Sequence, residues 1–283
     1  MYLQTIAFGV IVMASERMSA SFLDLSSWVD SLQSHGQYFF TREQALNELP
    51  ASKSAFDNAS LRLARKKRIT RLYRGFYIII PLEYASTGIL PPEWFIADLM
   101  NYLKMPYYVG LLSAANLHGA AHQQPQEFQV ITTAVVRTIK AGSLSIRFYI
   151  KKNFTSAQSA PVKVQTGFIS VSTPESTAVD LVCYARQIGG LDRVLTVLYE
   201  LGEKLNADKL AEAAKAGGSR AYAQRIGWLL EKAGFNNKTE KLARWVSNQR
   251  PLPARLDPAL STKGCEKNER WSLLINTSVE SDL

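Results

Sequence analysis

The sequence lacks the patterns that most directly assign a chemistry. It has only two cysteines in 283 residues and no Cys-x-x-Cys pair, so neither a disulfide framework nor a zinc site is indicated. Walker A and Gly-x-Gly-x-x-Gly loops are absent, as is a Gly-x-Ser-x-Gly elbow around a nucleophilic serine. We therefore expect no cofactor, and the lone thiols make a reducing, cytoplasmic compartment the simplest interpretation.

Long hydrophobic runs are also missing. The apolar run at residues 1–14 is too short to span a bilayer. It does not resemble a secretory signal either, because Glu16 and Arg17 follow the apolar residues and do not precede them. We expect no membrane association, and we expect residues 1–21 to be an extension or a mis-called translation start, with Met13 and Met18 as alternative starts.

The whole-chain composition is that of a soluble globular protein with an excess of positive charge. The content is 47% apolar and 20% charged, and the length predicts two domains. A net charge of +9 and an isoelectric point near 9.5 favour a polyanionic partner, although net charge does not distinguish DNA, RNA and membrane surfaces.

This positive charge is concentrated between Asn58 and Tyr77. Seven of these twenty residues are Lys or Arg, and none is Asp or Glu. Upstream, apolar spacing predicts a helix over residues 24–34, a Thr-x-x-Gln capping box at Thr41 opens a second helix, and Ser54 is predicted to cap a third that runs to about residue 66. Two strand-like runs then meet at Gly75, so the order is helix, helix, helix, hairpin.

That order predicts a winged helix-turn-helix DNA-binding domain over residues 22–82. Asn58, Arg62 and Arg65 share one face of the third helix, where Arg suits guanine and Asn suits adenine in the major groove. A solvated basic helix end would explain the run at residues 66–68 alone, but not the capped helices and the hairpin around it. The predicted DNA-binding residues are Lys53, Asn58, Arg62, Arg65, Lys66, Lys67, Arg68, Arg71 and Arg74.

Residues 88–283 are predicted to form a larger α+β domain with a central small sheet and flanking helices, so the fold class of the chain is α+β. Helices are predicted from Pro91, over residues 107–120 and from a strong start at Thr173-Pro174, and three more are predicted at residues 192–202, 210–216 and 220–234. The predicted strands lie at residues 127–133, 144–151, 162–166 and 168–171, with a last one at 271–276.

Catalytic arrangements are poorly supported. His118 and His122 have the spacing of metal ligands on a helix, but Gly119 stands where a metalloprotease needs Glu, so we expect no metal and predict that one His hydrogen-bonds within the domain. Ser113, His118 and Asp180 make only a nominal hydrolytic set. Residues 128–132 and 144–150 of the central predicted strands contain no acidic residue of the kind a nuclease requires, and Glu127 and Lys151 at their ends are an unconvincing pair. We expect no enzyme.

A second basic zone leaves two interpretations open. It consists of Arg137, Lys140, Arg147, Lys151 and Lys152, and it lies in the predicted strand region. It is either a solvated sheet edge or an additional phosphate contact from the second domain.

Several segments together resemble the AbiEi antitoxins of type IV abortive-infection toxin–antitoxin systems. They are RGFY at residues 74–77, YYVGLLSAANLHGAAHQQP at 107–125, FQVIT at 128–132, STPESTAVDL at 172–181 and RWSLLIN at 270–276. The resemblance extends over roughly residues 22–276, and the run LSAANLHG is its most specific part.

The resemblance implies an antitoxin that also represses its own operon. The winged helix would bind inverted repeats in double-stranded DNA of its own promoter, and the C-terminal domain would counter a nucleotidyltransferase-type toxin without requiring a stable complex. The alternative is an RNA-binding or protein-docking module that neutralises a toxin without being a specific repressor.

Overall fold

The computed structural model describes residues 24–120, 126–154 and 157–281. The fold is α+β, as predicted. The predicted extension at residues 1–21, with the alternative starts Met13 and Met18, lies outside the described residues, and so does His122.

The N-terminal part begins as the sequence patterns indicate. Asp24 caps the first helix, and the Thr41–Gln44 capping box is formed, with Gln44 accepting from the Thr41 backbone N–H at 2.8 Å. The elements in order are α1 (Leu25–Ser34), β1 (Phe39–Thr41), α2 (Arg42–Glu48), α3 (Lys53–Arg65), β2 (Ile69–Tyr73) and β3 (Phe76–Ile79).

The predicted cap of α3 was wrong by two residues. Ser52, in extended backbone geometry, accepts from the Ala55 N–H at 3.2 Å, and Ser54 lies inside the helix. Both serines satisfy the capping rule, but the chain is still extended only at Ser52, which an N-cap requires.

The three N-terminal strands form an antiparallel sheet in the order β1-β3-β2. The hairpin turns at Gly75, whose φ of +79° lies in the left-handed region that glycine tolerates. This order is compatible with a winged helix-turn-helix, which stays a prediction.

Both faces of β3 are buried, because its side chains alternate between two apolar clusters. Tyr77 and Ile79 pack with α1 and α3, whereas Phe76 and Ile78 pack with residues beyond position 88 such as Phe95. The hairpin is therefore shared between the two parts of the chain. The predicted boundary between residues 82 and 88 stays a prediction.

The larger part is built on a six-stranded mixed sheet with the order β6-β7-β5-β4-β9-β8. Its central strands are parallel in the pairs β5–β7 and β4–β9, and antiparallel in β4–β5. The elements are α4 (Ile96–Tyr102), β4 (Tyr107–Val109), α5 (Leu111–Leu117), β5 (Phe128–Thr132), β6 (Ile139–Ala141), β7 (Leu144–Ile150), β8 (Ser159–Val164) and β9 (Gly167–Ser172).

Two predicted helices begin differently in the structure. The segment over residues 107–120 starts as β4 and becomes helical only after Gly110, where an added Cβ would lie 2.7 Å from the Ile131 side chain. Pro91-Pro92 opens a 3-10 turn at Pro92–Trp94, and α4 starts at Ile96. For the first segment, strand pairing and close packing on Ile131 override the local helical pattern.

Helices cover the rest of the described chain up to residue 248, and a small three-stranded sheet, β10-β12-β11, closes it. They are α6 (Pro174–Cys183), α7 (Gly190–Leu201), α8 (Ala207–Ala216), α9 (Arg220–Lys232) and α10 (Asn236–Asn248), and the strands are β10 (Ala254–Arg255), β11 (Glu266–Asn268) and β12 (Leu273–Ile275). Thr173 caps α6 with Pro174 at its first position, as predicted. Within the described residues, no helix is both long and apolar enough to cross a membrane.

Candidate nucleic-acid interface

A concavity of about 1130 Å³ lies between α2, α3 and the β2–β3 hairpin. Its lining contains basic and acidic side chains, and the basic ones are more numerous. The charged lining residues are Arg42, Lys53, Arg71 and Arg74 on one hand and Glu43 and Asp57 on the other.

One of the two acids is already neutralised. Arg42 Nη2 donates to both carboxylate oxygens of Asp57 at 2.8 Å, which ties α2 to α3. Glu43 remains as an exposed carboxylate at the start of α2. The cationic side of the concavity is therefore the side of the hairpin and of the α3 N-terminus.

Helix α3 has three distinct faces, as the 3.6-residue repeat requires. Phe56, Ser60 and Leu63 are buried against the rest of the N-terminal part. Asp57, Leu61 and Ala64 line the concavity, together with Lys53 at the start of the helix. The predicted reading residues Asn58, Arg62 and Arg65 are exposed on the outward face and are not among the residues that line it.

The basic run after α3 is partly engaged within the protein. Arg68 forms an ion pair with Asp30 of α1, and Lys67 Nζ donates to the Ser86 carbonyl at 3.4 Å. Lys66 is exposed at the C-cap of α3. Only part of the basic run at residues 66–68 is therefore free of contacts within the protein.

The hairpin turn is held from two sides. The Arg42 N–H donates to the Gly75 carbonyl at 2.8 Å, and the Tyr102 hydroxyl donates to the Arg74 carbonyl at 2.9 Å. The Tyr102 ring also packs on Phe76, with 5.5 Å between ring centroids. Arg74 is thus presented to solvent from a turn with a defined backbone position, and Arg71 is exposed on the adjoining strand β2.

The second basic zone is divided in the same way. Lys151 Nζ lies 2.6 Å from Asp180, and Arg147 lies 3.4 Å from Glu127. The zone's other members, Arg137, Lys140 and Lys152, are exposed. β6, which contains Lys140, lies beside β2 of the hairpin, so exposed positive charge continues from the hairpin onto this edge.

Ser113, His118 and Asp180, the three residues of the hydrolytic set considered from the sequence, each hydrogen-bond a different partner. His118 Nε2 bonds the Ser172 carbonyl oxygen at 2.7 Å, which confirms the predicted structural role of one histidine. Ser113 accepts from the Gln129 N–H at 2.9 Å, and Asp180 bonds other groups. In the described part of the chain, none of the three hydrogen-bonds another, and no group of acidic, His and Cys residues could hold a metal ion.

Asp180 instead is the centre of a buried polar cluster. It is fully buried, with Lys151 Nζ on one carboxylate oxygen and the Tyr108 hydroxyl donating to the other at 2.8 Å. Burial raises the pKa of Asp180, while Lys151 and Tyr108 oppose that rise. Burial also raises the pKa of the neighbouring Cys183 to about 12, so its thiol stays protonated and unreactive at neutral pH.

Of the residues that line the concavity, only Lys53, Arg71 and Arg74 were predicted from the sequence, and those missed include Arg42, Leu61 and Tyr102. Leu61 had a signal, since Asp57, Leu61 and Ala64 repeat at helical spacing just as the outward stripe does. Arg42 and Tyr102 had none, because their partners are 15 and 28 residues away.

Comparisons with known proteins identify a domain within the larger, C-terminal part of the chain. The family model of the AbiEi antitoxin C-terminal domain matches residues 108–232. No curated protein matches the chain. Among solved structures, the crystal structure of the RV2827C protein from Mycobacterium tuberculosis is similar over 91% of this chain and 91% of that chain, with a TM-score of 0.65 and 16% identity, which concerns the fold alone. The chain thus carries an AbiEi antitoxin C-terminal domain, and its resemblance to the AbiEi antitoxins is confirmed.

Proposed function

We propose that this antitoxin is also a DNA-binding repressor of its own operon, and that residues 24–82 bind double-stranded DNA. The supporting observation is the charge of that part. Seven of its exposed cationic side chains form no ion pair with a described residue: Lys53, Arg62, Arg65, Lys66, Lys67, Arg71 and Arg74.

The positions of these cations suit a duplex. They lie on two faces of α3, in the connection that follows it and on the adjacent hairpin, and a helix is an element that the B-DNA major groove admits. Cations on either side of that helix would neutralise phosphates and release counterions. Inverted repeats in the promoter would then bind two copies of the chain.

Fluorescence anisotropy over a salt series tests this proposal. The DNA is the region upstream of the chain's own gene, compared with a shuffled duplex of the same composition. We expect tighter binding to the upstream region and a steep salt dependence. The variant Arg71→Gln/Arg74→Gln should reduce the slope of log K against log salt by about two units, one for each lost phosphate contact.

A charge-matched control is available in the helical part. Lys209 and Arg244 are exposed on α8 and α10, away from the concavity. Lys209→Gln/Arg244→Gln changes the net charge equally and should leave the salt slope unchanged. Equal affinity for the upstream and shuffled duplexes, or equal effects of the two double variants, would contradict a specific interface at residues 24–82.

The toxin side of the proposal rests on the antitoxin domain, which implies a toxin partner. We propose a nucleotidyltransferase-type toxin, a regulatory and non-catalytic role in the cytoplasm, and protection that needs no stable complex. Arg71→Gln/Arg74→Gln should keep protecting cells that express the toxin while a promoter reporter is derepressed. Loss of protection in this folded variant would contradict the separation of the two activities.

A further inference from the structure

Leu61 is an unusual residue for the surface it occupies. It is 52% exposed, and it lies on the α3 face that lines the concavity. Ala64, three residues later, is exposed on the same face. A single exposed leucine needs no explanation in general. Here, however, an apolar strip lies inside a concavity whose charged lining is mostly cationic.

We propose that Leu61 reads the 5-methyl group of a thymine in the major groove. The inference rests on the proposed DNA binding and adds to it a residue that determines sequence preference. The thymine methyl is the apolar group that base edges present in the major groove, and apolar side chains contact it there.

The neighbouring charges favour this face of α3 as the reading face. Asp57, one turn before Leu61, has both carboxylate oxygens occupied by Arg42 and does not repel DNA as a free carboxylate would. Arg71 and Arg74 lie across the concavity and Lys53 lies at the helix start. Phosphates bound by these cations would bring base edges over Leu61.

The outward stripe of Asn58, Arg62 and Arg65 is the competing reading face. It is also exposed, but it does not line the concavity that contains the hairpin cations. A helix that inserted this stripe in the groove would leave Arg71 and Arg74 farther from the duplex. Reading by one face or by the other therefore predicts different changes in affinity when the operator bases are altered and when Leu61 or Arg62 is substituted.

Substitution of deoxyuridine for thymidine isolates the methyl group, because it leaves base pairing unchanged. Each thymidine of the bound operator is replaced in turn, and affinity is measured for the wild type, Leu61→Ala, Leu61→Met and Arg62→Ala. We expect one position in each half-site where deoxyuridine weakens wild-type binding about fourfold, which corresponds to the burial of one methyl-sized group.

The variants then assign that effect to a side chain. Leu61→Ala should bind more weakly and lose the response to deoxyuridine, whereas Leu61→Met, which keeps an apolar side chain of similar reach, should retain it. Arg62→Ala should bind more weakly but keep the response. Because Leu61 is exposed, Leu61→Ala should fold normally, which circular dichroism verifies.

Four results would overturn the inference. Specific operator binding without any deoxyuridine effect, or an operator without thymidine, would refute the reading of a methyl group and leave the proposed repressor function intact. A response kept in Leu61→Ala but lost in Arg62→Ala would assign reading to the outward face. A change of oligomeric state in Leu61→Ala with an unchanged response would make Leu61 a contact between copies. Absence of specific binding would refute the proposed function as well.

Discussion

Replacing Lys151 with methionine should lower the free energy of unfolding by about 3–5 kcal/mol at neutral pH, the usual cost of removing one partner of a buried ion pair. Asp180 is fully buried and the Lys151 side chain is only 13% exposed, so solvent screens their 2.6 Å contact weakly. Methionine retains most of the length of the side chain. The variant therefore removes the cation, and with it the contact of Nζ with the Tyr108 ring at 5.8 Å, while keeping most of the volume of the side chain.

The loss should depend on pH in a defined direction. Burial already raises the pKa of Asp180, and without Lys151 the pKa rises further above the unfolded value. A buried carboxyl group whose pKa is raised in the folded state is tolerated while it is protonated. As the pH rises towards that pKa, the unfolded state loses its proton first, and the fold is destabilised. Each pH unit between the unfolded pKa and the raised folded pKa costs about 1.4 kcal/mol. Lowering the pH from 7.5 to 5.5 should therefore restore up to about 3 kcal/mol in Lys151→Met relative to the wild type.

Urea unfolding followed by tryptophan fluorescence, at several pH values, measures both effects. Lys152→Met is the matched control, because Lys152 is the next residue and is exposed. It should change the free energy of unfolding by less than about 0.5 kcal/mol, as surface substitutions usually do. The double variant Lys151→Met/Asp180→Asn should recover part of the loss, since no charge is then buried alone. If Lys151→Met behaves like Lys152→Met, or if its loss is independent of pH, the ion pair does not stabilise the fold in the way argued.

Three other substitutions have clear expected outcomes. Burial raises the pKa of Asp98 from its ordinary value of 3.8 to about 6, so stability is lost as pH rises between these two values. Asp98→Asn should raise the free energy of unfolding by about 1–3 kcal/mol at pH 8 and much less at pH 4, measured by urea unfolding. Gly227→Ala would place a Cβ 2.1 Å from the buried Trp271 ring, and the resulting overpacking should cost at least about 1–3 kcal/mol in the same assay. Tyr102→Phe removes the hydroxyl that donates to the Arg74 carbonyl; it should cost about 0.5–1.5 kcal/mol of stability and lower the salt slope of DNA binding, and an unchanged slope would show that the hydroxyl does not position the turn.

The features predicted correctly from the sequence are those encoded within a few residues. The Thr41 capping box, the Thr173 cap with Pro174 and the Gly75 turn each need only neighbours in the chain. Their chemistry is local, because a cap satisfies the free N–H groups of its own helix and glycine adopts the left-handed conformation of its own turn.

The features that were missed depend on partners far away in the sequence. β4 is a strand because it pairs with β5 on one side and β9 on the other, and the nearest of these begins about twenty residues later. β6 exists as the partner of β7. α10 was not predicted although its pattern was visible, since the buried Thr239, Leu242, Ala243 and Val246 have helical spacing.

The candidate site shows the same division. The sequence indicated a basic helix and a basic hairpin, and the structure brings Lys53, Arg71 and Arg74 to one concavity. The sequence alone could not indicate which face of α3 lines that concavity. The choice between Leu61 and Arg62 depends on how α3 packs against α2 and the hairpin, and both stripes have the same helical spacing.

The shared hairpin decides how repression and toxin neutralisation can be separated. Deleting the chain up to residue 80 would remove Leu72, Phe76, Ile78 and Ile80 from the second apolar cluster and expose the residues they cover, such as Phe95. Each large side chain contributes roughly 1.5–3 kcal/mol when buried, so the total loss is comparable to the whole stability of a domain. A truncated chain that failed to protect cells would then report unfolding and not a lost activity. Substitutions at the exposed hairpin arginines, Arg71 and Arg74, avoid this problem. A truncated chain that unfolds cooperatively with the stability of the wild type would contradict this reasoning, because it would show that the two apolar clusters are independent.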